Sequence, residues 1–171
     1  MRYCRLIIFL LTINILSCDK PTDKLFWISE QTNQSNDFLF MTESTNVEAL
    51  KIDSLKLFLR ADELQQLDTT TTSFKNFGRI YSGEKFQVFV LLRSINSSGR
   101  NYTFIIKTFD NDWRVIDDYE LATWDDEAKK YCFGSISKNL IIERKCDKAE
   151  TSDIMEITSE GKIIMTSLKK P

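Results

Sequence analysis

Residues 85–109, KFQVFVLLRSINSSGRNYTFIIKTF, contain two apolar runs separated by a polar cluster, NSSG at 96–99. Both runs are rich in the β-branched and aromatic residues that favour strands, and the cluster is typical of a hairpin turn. In the first run the even-numbered positions from 86 to 92 are apolar, and so are Phe89 and Leu91 on the opposite face. The sequence therefore predicts a central antiparallel strand that is covered on both sides.

The same strand pattern continues along the chain with short polar connections, which join antiparallel neighbours. Strands are predicted at 77–81, 85–95, 100–109, 114–121, 131–136, 140–146, 154–158 and 162–167, with an earlier apolar patch at 25–28. Residues 47–67 are ambiguous, because Leu55, Leu57 and Leu59 alternate as in a strand while 61–67 suits a short helix. The predicted fold is mainly β: a single antiparallel β-meander (a curved sheet, sandwich or open half-barrel) with one short helix.

The N-terminus has the order of a targeting segment. A positively charged start, MRYCR, precedes eleven residues, 6–16, that are mostly apolar and too few to span a bilayer of about 30 Å. The run then reaches Ser17 and Cys18. The four residues Ile15-Leu16-Ser17-Cys18 resemble the lipobox of bacterial lipoproteins, and the whole chain resembles a small lipoprotein of the Bacteroidota type.

This resemblance implies cleavage before Cys18 and acylation of that residue, and several acyl chains would anchor the protein stably to a bilayer. An ordinary cleaved signal peptide, with Cys18 unmodified, is the alternative. The expected organisation is a signal peptide at 1–17, a polar tether at 18–36 and a β-rich globular domain at 37–171. The expected location is the cell envelope, with the choice of membrane and of its periplasmic or surface face left open.

Composition excludes several classes of function. The chain has 23 basic and 25 acidic residues, and loss of Arg2 and Arg5 with the signal peptide brings the net charge from −2 to −4. Such a chain lacks the basic footprint of a nucleic-acid-binding protein. It also contains no histidine, which removes histidine-based acid–base catalysis, nucleophile–histidine pairs and most zinc sites. We therefore expect no catalytic residue, no resident metal and no cofactor.

The cysteines divide in a way that suits an exported protein. Cys4 leaves with the signal peptide and Cys18 is the acylation site, so Cys132 and Cys146 remain as a pair. They flank a predicted hairpin. A turn centred on Asn139 would place them directly opposite each other, and a turn one residue earlier would make them diagonal neighbours. A disulfide is predicted, with two separate core cysteines as the alternative.

A candidate ligand surface is indicated by aromatic residues near carboxylates: Trp113, Tyr119 and Trp124 with Asp110 and Asp112. Aromatic faces and carboxylates together are typical of surfaces that grip sugar rings. The alternative is that the aromatics pack and the acids solubilise the edge of the sheet. The DND triplet at 110–112 could also hold calcium, but it lacks the remaining EF-hand positions and suits a tight turn.

The function predicted from these features is that of a membrane-tethered, non-enzymatic binding or interaction module. Its expected partners are the lipid bilayer, through acylated Cys18, and an envelope protein or a glycan. An immunity-type lipoprotein that neutralises a toxin is one alternative. A carboxylate-based carbohydrate-active enzyme is another. It would draw its acids from Asp110, Asp112, Asp117, Asp118, Asp125 and Asp126.

Overall fold

The computed structural model describes residues 24–28 and 49–169. Cys18, the predicted signal peptide, most of the predicted tether and the first residues of the predicted domain lie outside this part of the chain. Within the described ranges, no helix is long and apolar enough to cross a membrane. The elements are β1 (Lys24–Ile28), α1 (Ile52–Phe58), α2 (Ala61–Gln66), β2 (Thr72–Ser82), β3 (Phe86–Ile95), β4 (Asn101–Asp110), β5 (Val115–Asp125), β6 (Lys130–Ser137), β7 (Ile141–Cys146), β8 (Ser152–Ile157) and β9 (Ile163–Lys169).

The nine described strands form one antiparallel sheet. Eight of them follow one another as a meander, in the order β2-β3-β4-β5-β6-β7-β8-β9, and β1 lies off this path. Strand β1 pairs with β6 alongside Gly134 to Ser137, whereas β5 pairs with β6 only from Lys130 to Cys132. The two halves of β6 thus have different neighbours. The apolar patch at 25–28, which lies within the predicted tether, forms strand β1 of the sheet.

The sheet curls but does not close. In a flat sheet β5 and β9 would lie about 19 Å apart, four strand spacings of about 4.8 Å. Here the Ile163 amide donates to Asp117 Oδ2 of β5 at 2.9 Å, and the Thr108 hydroxyl donates to the Gly161 carbonyl at 2.7 Å. Bulges in the β2–β3 and β4–β5 ladders add local twist. The prediction of a mainly β, antiparallel and curved sheet is confirmed.

Strand β3 is covered on both faces, as its sequence predicts. Val88, Val90 and Leu92 are fully buried on the inner face of the sheet, in a core shared with residues of β4, β6 and β7. On the outer face, Phe89 meets Phe58 of α1 edge to face at 5.8 Å. Each fully buried side chain of this size contributes about 1.5–3 kcal/mol to folding, so the covered strand is the centre of the domain's stability.

Two short helices cover the outer face of β2–β4 where the sequence predicts one. The strand-like alternation in 55–59 is not a strand, because Leu55 and Leu59, four residues apart, share the buried side of a helical turn. Leu57 between them is 55% exposed. Leu64 and Leu67 pack against the same cluster, as the short helix predicts.

One buried cation joins this helical hairpin to the sheet. The Lys107 side chain in β4 has no exposure, and its Nζ lies 2.7 Å from Glu63 Oε1 and 2.8 Å from Glu63 Oε2. Glu63 also accepts the Arg60 amide at 2.6 Å at the start of α2. A single carboxylate therefore caps the helix and neutralises a charge inside the domain.

Cys132 and Cys146 lie directly opposite each other in the β6–β7 ladder and are joined by a disulfide. This is the register that a turn centred on Asn139 predicts. The tight connection is completed by Leu140, which adopts a positive φ of 61°. The bridge thus closes the hairpin at the end opposite to its turn.

Candidate binding site

One end of the sheet carries a groove between two loops. The β2–β3 register pairs Thr72 with Ile95, and the Asn96 amide donates to the Thr71 carbonyl at 2.7 Å. The loop before β2 and the hairpin between β3 and β4 therefore lie side by side. They flank an open depression of about 630 Å³, which we call the strand-end groove.

Most residues that line the strand-end groove carry hydroxyl, amide or charged side chains, and Ile95 adds apolar surface. Its lining residues are 69–73, 94–102 and Asp126. The first loop is shaped by Asp68, which accepts hydrogen bonds from the Thr70 amide at 2.9 Å, the Thr70 hydroxyl at 2.6 Å and the Thr71 hydroxyl at 2.9 Å. The Thr70 hydroxyl, with its amide and the Thr71 hydroxyl, lowers the pKa of Asp68. The carboxylate stays ionised and the loop keeps this shape at neutral pH.

Asp126 accepts hydrogen bonds from three side chains at the rim of the groove. Its Oδ2 accepts from Arg100 Nε at 3.0 Å, and its Oδ1 accepts from Trp124 Nε1 at 2.7 Å and from the Tyr131 hydroxyl at 3.4 Å. The Arg100 guanidinium lies 4.6 Å from the centre of the Trp124 ring. Burial acts to raise the pKa of Asp126, but the hydrogen bonds from Arg100 and Trp124 outweigh it and the pKa is lowered. The rim is thus a fixed set of polar groups around an ionised acceptor.

The candidate residues at 110–113 lie at the opposite end of β4. Asp110 Oδ1 accepts the amides of Asp112 at 2.9 Å and Arg114 at 2.8 Å, as in a tight turn. The Trp113 ring packs 5.6 Å from Phe89 and is 44% exposed. Nine residues of strand separate this turn from Asn101 at the groove, about 30 Å at 3.3 Å per residue.

Tyr119 lies midway along β5. Its hydroxyl donates to Asp153 Oδ2 at 3.1 Å, and its ring centre is 5.8 Å from the Arg144 guanidinium. Burial raises the pKa of Tyr119, and Asp153 adds to the rise against the opposing effect of Arg144. The five candidate residues therefore divide among three places, and Trp124 alone of them adjoins the groove.

The acids considered for catalysis have structural partners. Asp117 holds the Ile163 amide, and Asp118 pairs with Arg60 at 2.5 Å. Asp125 accepts from Asn101 Nδ2 at 3.2 Å and from the Ala128 amide at 2.8 Å. In the described ranges, no group of three or more acidic or cysteine side chains is arranged to hold a metal ion.

Sequence reasoning missed the loops that form the groove. The sequence predicts a strand that begins at residue 77, whereas β2 begins at Thr72. Residues 72–76, which this prediction leaves out of the strand, extend β2 to the groove and align 71–73 with 94–96. The hydroxyl-rich composition of both loops was the available signal.

Comparison with protein-family models, with curated proteins and with solved structures finds no match for this chain. Its function therefore has to be inferred from its own residues.

Proposed function

We propose that this chain is a membrane-tethered, non-enzymatic binding module of the bacterial cell envelope, and that it binds a neutral, hydroxyl-rich ligand such as a glycan segment in the strand-end groove. The observation that carries the proposal is the groove itself, about 630 Å³ lined by serine, threonine and asparagine with a fixed polar rim. This volume lies within the usual range of ligand sites, about 300–1,000 Å³. Such side chains pair with sugar hydroxyls as donors and acceptors.

The tether rests on the N-terminal sequence. The charged start, the short apolar run and the lipobox-like Ile15-Leu16-Ser17-Cys18 support export and acylation at Cys18. A lipid anchor there would hold the groove close to a membrane, where the glycans of the envelope are concentrated.

The lowered pKa of Asp126 at the rim of the groove supports binding over catalysis. A glycosidase needs one carboxyl with a raised pKa to protonate the leaving group. Asp126, the acid that lines the groove, has a lowered pKa, because Arg100 and Trp124 stabilise its charged form against the effect of burial. Asp126 is thus suited to accept hydrogen bonds rather than to donate a proton.

The proposal is tested by titrating a panel of neutral oligosaccharides into the full chain in non-ionic detergent and following binding by calorimetry. Asn96→Trp places a bulky ring in the groove from an exposed loop position, and Asn139→Trp makes the same change at an exposed turn elsewhere. We expect one glycan class to bind the wild type and Asn139→Trp alike, with binding to Asn96→Trp weakened at least tenfold. Binding by no neutral glycan, or equal binding by both variants, would remove the proposal.

A further inference from the structure

Three buried polar atoms without hydrogen-bond partners lie close together across strands β3 to β7. They are Arg93 Nε, Thr123 Oγ1 and Arg144 Nε, out of four such side-chain atoms in the described residues. Folded proteins satisfy nearly all buried polar groups, and an unsatisfied donor costs free energy. Three of them in one neighbourhood require a physical explanation.

The register of the sheet brings these three side chains together. Arg93 pairs with Thr103, Thr103 with Thr123, and Thr123 with Cys132, so the four residues form one row across β3–β6. Arg93 NH2 donates to Thr103 Oγ1 at 3.3 Å, and Arg144 NH2 donates to Cys132 Sγ at 3.4 Å. The two guanidinium groups therefore reach the row from its two sides, with the Thr123 hydroxyl between them.

The charges at this place do not balance. Glu120 Oε1 lies 3.1 Å from Arg93 NH2, while its Oε2 lies 3.7 Å from Lys130 Nζ and 3.8 Å from Arg144 NH2. Only the first of these distances is that of a hydrogen bond. Asp153 Oδ2 is 4.0 Å from Arg144 NH1. Three cations thus face two carboxylates, and one positive charge is left without a counter-charge among the five groups.

The excess positive charge lies on side chains that are partly removed from water, which strengthens their attraction for an anion. The Arg144 side chain is 13% exposed, Arg93 is 33% exposed and Lys130 is 50% exposed. Exposure thus rises from Arg144 in the interior to Lys130, whose side chain a ligand can contact from solvent. A guanidinium that is partly removed from water binds an oxyanion strongly and with directional geometry.

We infer that Arg93, Glu120, Thr123, Lys130 and Arg144, here called the Glu120 cluster, form a second binding site that accepts one carboxylate or phosphate group of a ligand. The oxyanion contacts the half-exposed Lys130 from solvent, and a shift of the Arg144 side chain opens Arg144 Nε and Thr123 Oγ1, both shielded from solvent in the unliganded structure, as its hydrogen-bond donors. Glu120 stays paired with Arg93. One negative charge from the ligand balances the three cations once Glu120 and the neighbouring Asp153 are both counted.

The inference is tested by thermal unfolding of the full chain in non-ionic detergent. The phosphate probe is glycerol 3-phosphate and the carboxylate probe is galacturonate. Sodium chloride at matched ionic strength and neutral galactose are the controls. Because a ligand that binds only the folded state raises the melting temperature, we expect a saturable rise with one of the charged probes and none with the controls. The probe that acts identifies the chemical source. No rise with either probe overturns the site.

Substitutions separate binding from a structural role. Thr123→Val keeps the shape of the side chain and removes its unpartnered hydroxyl, so the unliganded melting temperature should be equal or higher while probe affinity falls at least threefold. Arg144→Gln should weaken the probe at least tenfold. The matched control is Lys138→Gln, at an exposed turn, which should bind like the wild type.

Lys130→Gln, at the half-exposed rim, replaces Arg144→Gln if the latter fails to fold, and it should also weaken the probe. Probe affinities equal to wild type in Thr123→Val and in the cation variant would contradict the inference.

Discussion

Lys107 carries a full charge into the interior of the domain, and the cost of that burial depends on Glu63. The lysine side chain is fully buried, whereas the Glu63 side chain is 30% exposed and reaches water. Removing the anion would leave a buried ammonium with Asp118 at 4.0 Å as the next carboxylate. Removing the cation would leave a carboxylate that water can solvate. The two partners are therefore not equivalent.

We predict that Glu63→Gln destabilises the protein by about 2–3 kcal/mol, because it leaves a buried charge unpaired. Glutamine can still accept the Arg60 amide, so the start of α2 is not altered. Lys107→Met, which replaces the cation by an apolar chain of similar length, should cost less than about 1 kcal/mol. Urea unfolding measures both. A larger loss for Lys107→Met than for Glu63→Gln would contradict this account.

A second residue-level prediction concerns Asp126 and pH. Its pKa in the folded state is lowered, since the bonds from Arg100 and Trp124 outweigh the effect of burial. Its stabilising contribution is therefore complete above the unfolded-state pKa, about 3.9, and is lost as pH falls through the lower folded-state pKa. Asp126→Asn should be less stable than wild type at pH 7, with a gap that narrows towards pH 2. A gap that stays constant across that range in urea unfolding would exclude this role.

At the scale of elements, Phe58 docks the helical hairpin on the sheet through contacts with two aromatic rings. Phe58 is 7% exposed and meets Phe89 and Phe109 edge to face at 5.8 and 5.9 Å. Leu57, its neighbour in α1, is 55% exposed. Phe58→Ala should cost about 3–4 kcal/mol and Leu57→Ala less than about 0.5 kcal/mol. Similar losses for both in thermal unfolding would show that α1 is not docked as described.

A second prediction at this scale concerns the stability that the Cys132–Cys146 bridge gives to the β6–β7 hairpin. The cysteines are 14 residues apart, and closing a loop of this size stabilises a protein by roughly 3 kcal/mol on the loop-entropy estimate. Reduction should therefore lower the urea midpoint of the wild type. The double variant Cys132→Ala and Cys146→Ala should start at a lower midpoint and not respond to reductant. An equal response of the two proteins would disprove the bridge.

The strands could be predicted because their alternation is strong and their connections are short. Each of the eight strands expected after residue 76 is present, and β3 is covered on both faces as its two-sided apolar pattern requires. Residues 52–58 could not be decided, since leucines at 55, 57 and 59 fit a strand while 55 and 59 fit one side of a helix equally well. Packing of Leu55 and Leu59 against Phe74 selects the helix.

At the scale of the molecule, the aromatic residues that are close in sequence do not lie together on one surface. Trp113 and Trp124 are eleven residues apart, and a strand of that length spans about 36 Å. β5 therefore separates the two rings instead of gathering them. Both the groove and the Glu120 cluster are built across strands, from residues of β2 to β7 that the register aligns. Such register could not be read from any single segment.

We propose that a folded binding domain is held at a membrane through Cys18. The measurement that tests it most directly is the intact mass of the native protein extracted from membranes, before and after reduction. We expect a chain that begins at Cys18, carries acyl chains and gains about two mass units on reduction of the Cys132–Cys146 bridge. A soluble protein that is cut elsewhere and carries no acyl chain would contradict the account.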